Sequence, residues 1–106
     1  MSLFGSVSGK QVDEFARALV QEIVRYYPPA NAAGKARKAS DKKVASVIEG
    51  ALQKAAAFKK EHQLGIYKTA RLGNTFRWEL KEKGYDGEFI DTIVQDLVVR
   101  ISTARK

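Results

Sequence analysis

Apolar residues recur along this chain with a helical period, and no stretch shows the alternation of a half-buried strand. The clearest case is the last. Phe89, Ile90, Ile93, Val94, Leu97, Val98 and Ile101 cover nearly half of a helical cylinder at about 100° per residue. So wide an arc suits a helix with neighbours on two sides, and this C-terminal helix is expected to be central to the fold. Its start is well marked. Asp86 is a good N-cap, Glu88 puts negative charge in the first turn, and Tyr85 with Ile90 has the spacing of a hydrophobic staple. A tight turn, Lys83-Gly84-Tyr85-Asp86-Gly87, joins it to the helix before.

The first helix is expected over residues 9–27, after a short tail at 1–7. Ser8 and Gln11 form a capping box, and Val7 with Val12 a second staple. Its apolar face is Val12, Phe15, Ala16, Leu19, Val20, Ile23, Val24 and Tyr27, and Pro28-Pro29 ends it. Residues 28–40 make a connection longer than packed helices usually need. Ser40 then caps a second helix whose inner face is Val44, Val47, Ile48, Ala51, Leu52, Ala55 and Phe58.

That helix is expected to stop near Gln63, with Gly65 as the residue just past its end. The third helix would run from Ile66 to Lys83, with Ile66, Thr69, Leu72, Gly73, Phe76 and Leu80 inward. The two inner faces stay in phase through Gly65, so one unbroken helix from Asp41 to Lys83 is the alternative. It would be about 64 Å long and would imply a dimer. An internal glycine costs about 1 kcal/mol against alanine, which favours the break. The fold class is therefore all-α: a small four-helix antiparallel domain over residues 8–106.

Composition and charge add limits. At 106 residues there is room for one modest core. No cysteine is present, which excludes disulfides, thiolate catalysis and cysteine-held zinc. No apolar run approaches the roughly 20 residues of a membrane span. Met1 to Ser6 lacks the pattern of a secretory signal, and Ser2 in place of glycine excludes N-myristoylation. The expectation is a soluble, cytoplasmic protein with no membrane partner.

The net charge is +7, concentrated in residues 28–43 (+4) and 64–84 (+3). Attraction to a polyanion follows physically, as does simple solubility. A groove-reading helix-turn-helix around Gly84 fails on charge. The recognition helix would carry Asp86, Glu88, Asp91 and Asp96 into a groove lined by phosphates.

Two surfaces remain as candidates. Tyr67, Arg71, Asn74 and Trp78 follow i, i+4, i+7, i+11 on the third helix, opposite Leu72, Phe76 and Leu80. Aromatic residues beside arginine are the composition of binding hot spots, and this stripe is the expected site for a protein partner or a second copy. The alternative is sequence-tolerant nucleic-acid binding through the basic loop, Lys35, Arg37, Lys38, Lys42 and Lys43, with Lys68 from the third helix. An enzyme is not expected. His62 is the only histidine and lacks a sequence-level partner, the remaining acids have the spacing of solvated helix charges, and Gly34-Lys35 is not a phosphate loop. No cofactor or metal is called for.

Overall fold

The computed structural model describes residues 7–29 and 41–103. The tail residues 1–6, the Ser40 cap and the loop cations Lys35, Arg37 and Lys38 lie outside the described residues.

Four helices make up the described chain: α1 (Gly9–Tyr26), α2 (Asp41–His62), α3 (Ile66–Lys83) and α4 (Gly87–Thr103). Successive helices run antiparallel. Phe15 stacks on Phe58 and Glu22 meets Lys54, so α1 and α2 oppose each other. Asp13 meets Arg71 and Arg17 meets Glu79, so α1 and α3 share a direction. The wide apolar arc of α4 lies between α2 and α3, and α1 packs against the same two helices. All four supply the core, whose largest fully buried side chains include Phe76, Ile23, Leu72, Leu80 and Leu97. Val7 is also buried, so the residue before the first cap belongs to the core rather than to a loose tail.

The helix ends show local chemistry at work. Ser8 and Gln11 form the capping box on α1. Asp86 Oδ1 accepts from the Phe89 N–H at 2.8 Å and caps α4. Gly84 takes the left-handed conformation (φ 100°), which only glycine adopts without penalty, and closes α3.

The chain breaks between α2 and α3, but one residue differs from its expected role. The left-handed residue after α2 is Gln63 (φ 51°), not Gly65. The Gln63 N–H donates to the Lys60 carbonyl and the Leu64 N–H to the Lys59 carbonyl, which is a Schellman closure. Leu64, now past the end, is buried. Gly65 instead stands at the N-cap of α3 with extended backbone and no side chain to offer. Burial of Leu64 in the core thus sets where the helix stops, and Gln63 accepts the strained conformation. Gln63→Gly should therefore raise stability by about 1 kcal/mol, measured by chemical denaturation. A loss would mean that Gln63 makes a contact that outweighs its backbone strain.

A second difference is Ile66. Its period assigns it to the inner face, yet it is 90% exposed. As the first residue of α3 it precedes the segment that α1 and α4 cover.

Candidate functional site

Helix α3 has three distinct sides besides its core face. The first faces α1. Arg71 donates through Nε to Asp13 Oδ1 at 3.0 Å and through Nη2 to Asp13 Oδ2 at 2.8 Å, and the Thr75 hydroxyl donates to Asp13 Oδ1 at 2.8 Å. This fork, with the Arg17 to Glu79 pair further along, fixes the register of α1 on α3. The Arg71 guanidinium, helped by Thr75, holds the Asp13 carboxyl down at a pKa of about 2. Lys68 lies on this same side and is half-buried.

The second side faces solvent. Tyr67 is 82% and Trp78 57% exposed, with Asn74 exposed between them. The structure thus brings three of the four stripe residues together on an open surface. Arg71 sits at the edge of the stripe, tied to α1.

The third side faces α4 across a groove of about 670 Å³. Ala70, Gly73 and Asn74 form its α3 wall, with Thr69 deeper, and Val94 and Val98 its α4 wall. Leu64, Ile66 and Ile101 lie towards the start of α3, and Arg77, held to Asp91 by a 3.1 Å ion pair, towards its end. Val98 is 45% exposed. The arc of α4 is wider than its neighbours cover, and its uncovered flank is this groove. The Thr69 hydroxyl is buried there without a hydrogen-bond partner. Sequence periodicity puts Ile66 and Val98 in the core; nothing in the pattern distinguishes a covered flank from an open one.

Of the basic residues of the alternative site, Lys42, Lys43 and Lys68 are among the described residues, and they lie apart. Lys42 and Lys43 are exposed at the start of α2, where the Lys43 ammonium lies 5.0 Å above the Tyr26 ring. About 28 Å of helix separates Lys43 from the turn that leads to Lys68. At the far end of α2, His62 is half-buried with its ring against Phe58.

A last polar feature sits where α1 ends. The Tyr85 hydroxyl donates to the Tyr27 carbonyl, and the rings of Tyr27, Tyr85 and Phe89 pack together. Burial pushes the Tyr85 phenol pKa up, so the hydroxyl stays a donor. This cluster fixes the end of α1 to the α3–α4 turn.

Among the described residues no group of three or more His, Cys, Asp or Glu is placed to hold a metal, and no helix is long and apolar enough to cross a membrane. No family model, no curated protein and no solved structure matches the chain.

Proposed function

We propose that the protein is a non-catalytic interaction module that meets a protein partner through the solvent face of α3. One observation carries this reading: Tyr67 and Trp78 stand open to solvent on a helix whose opposite face, Leu72, Phe76 and Leu80, is wholly buried. Large exposed aromatic residues on a rigid helix are what binding hot spots are made of. They present apolar area at little conformational cost, because the helix is already fixed by its ion pairs to α1 and by the core.

The experiment has two parts. In the free protein Trp78 should emit at long wavelength and be open to a soluble quencher, and Trp78→Ala should change stability by no more than about 1 kcal/mol. On association the emission should shift to the blue, and Trp78→Ala and Tyr67→Ala should weaken the complex. A dilution series by sedimentation shows whether that complex is a second copy or another chain. A shielded Trp78 in a protein that stays monomeric would overturn the reading. Salt-sensitive oligonucleotide binding that is indifferent to both alanine variants would shift the site to Lys35, Arg37, Lys38, Lys42 and Lys43.

A further inference from the structure

The turn between α2 and α3 holds strain, and the residues around it show what releases that strain. We infer that this turn is a hinge through which two copies of the chain exchange hairpins. In the exchanged dimer α2 and α3 form one continuous helix of about 64 Å, and α1–α2 of each copy packs on α3–α4 of the other.

The first observations lie in the turn itself. It is three residues long, Gln63, Leu64 and Gly65. Among the described residues Gln63 (φ 51°) is the one non-glycine residue with positive φ, so an L side chain stands where glycine belongs. Gly65 stands at the N-cap of α3 without a side-chain hydrogen bond, so no cap locks the start of that helix. Short connections under strain are where domain swapping begins.

Helical phase is the second observation. At about 100° per residue, a continuous helix would place Ile66 within about 40° of Ala55, Gly73 and Leu80. Those three are buried, whereas Ile66 is 90% exposed in the closed turn. Leu64, which the closed turn buries, would stand on the opposite side from Ala55 and Leu80. Opening therefore turns Leu64 outward and Ile66 inward, and frees Gln63 from the left-handed conformation.

Topology permits the exchange. Helix α1 packs on α3, and α4 packs on α2. These contacts join one hairpin to the other, together with the Arg71–Asp13, Arg17–Glu79 and Arg100–Glu49 pairs. All of them re-form between copies after the exchange. The two forms thus differ at the turn and in whatever surface the two halves of the dimer share. Leu64 burial and the +7 charge on each copy favour the closed form when the protein is dilute; high concentration favours the open one.

The experiment refolds the chain from guanidinium at low and at high protein concentration and sizes the products by sedimentation. Refolding at high concentration should give a dimer, and at low concentration a monomer. Two hinges open in each dimer, so a change at the hinge counts twice. Gly65→Ala favours helix through the turn and should strengthen dimerisation at least about tenfold. Gln63→Gly relieves the closed turn, weakens the open helix and should weaken dimerisation at least about tenfold. The crossing itself is read with Arg71→Glu and Asp13→Arg, each made in the Gly65→Ala background. Either one alone sets like charges against each other where α1 meets α3. When the two are refolded together, the exchanged heterodimer has one junction with both substitutions, oppositely charged, and one with the original Asp13 and Arg71. The mixture should therefore melt higher than either variant alone. A Gly65→Ala chain that stays monomeric at high concentration overturns the inference, as does equal dimerisation of the two hinge variants. So does a dimer whose mixed variants melt no higher than the separate ones, since that is side-by-side association without exchange.

Discussion

Phe76→Ala should cost about 3–5 kcal/mol of folding stability, a large part of what a domain of this size has. Phe76 is wholly buried in the middle of α3, among the core side chains that all four helices supply. Its removal takes away the apolar transfer energy of the ring and leaves a void that a close-packed interior fills only in part. Leu97→Ala on α4 should cost about 2–5 kcal/mol for the same reason, since Leu97 is equally buried. Urea or guanidinium denaturation with an unchanged slope is the measurement. A loss well under 1 kcal/mol at either position would mean that α3 and α4 do not share the core described.

The second large effect is at Arg71. Judged from the sequence alone, Arg71→Glu is a surface charge reversal that weakens association and leaves stability almost unchanged. The structure reverses that expectation. Arg71 holds both oxygens of Asp13, so a glutamate there faces a carboxylate that keeps the Thr75 hydroxyl but has lost its guanidinium. Two charge-assisted hydrogen bonds disappear and two like charges are brought together. The melting temperature should fall by about 5–10 °C, read by thermal denaturation at neutral pH. An unchanged melting temperature would mean that the fork contributes nothing to the fold. Arg71→Glu is therefore no clean test of the binding face; Trp78→Ala and Tyr67→Ala are.

The same fork makes stability depend on pH. The folded pKa of Asp13 is about 2, against an ordinary value of 3.8. A depressed carboxyl pKa contributes stability that is fully present above the unfolded value and is lost as pH falls through the folded one. The window is thus from about pH 4 down to about pH 2. The contribution is about 1–2 kcal/mol, reduced from the full shift because the Arg71 side chain is 44% exposed and screened by solvent. Arg100, with help from Gln53, likewise lowers the pKa of Glu49 and adds to the same acid limb. Asp13→Asn should flatten the fall between pH 4 and pH 2 relative to the unaltered protein. An identical slope in both would mean that Arg71 does not hold Asp13 in solution.

Much of the fold is legible from the sequence because it is local. The 3.6-residue period marks each helix, and Ser8, Asp86, Gly84 and the Pro28-Pro29 pair act within a turn of where they stand. Arrangements set by distant partners are not legible. Glu79 and Arg100 have helix neighbours four residues away of opposite charge, yet they meet Arg17 and Glu49 on other helices. Arg71 has the right spacing from Tyr67 and Trp78 for a contact residue; only the placement of α1 beside α3 gives it to Asp13.

The stripe itself is readable, since side-chain direction on a helix follows from residue number. The groove is not. Periodicity shows which residues point inward, but whether a flank of that arc is covered depends on how far neighbouring helices reach. Ile66 and Val98 have the pattern of core residues and the exposure of surface ones. The sequence by itself determined four helices, the Ser8 and Asp86 caps and the Gly84 turn, and most of the apolar face of each helix. The tertiary structure decided which charges pair, that Gln63 rather than Gly65 takes the left-handed turn, and that one apolar flank stays open. Local signals act over a few residues of chain, whereas pairing and coverage depend on contacts between segments far apart in sequence.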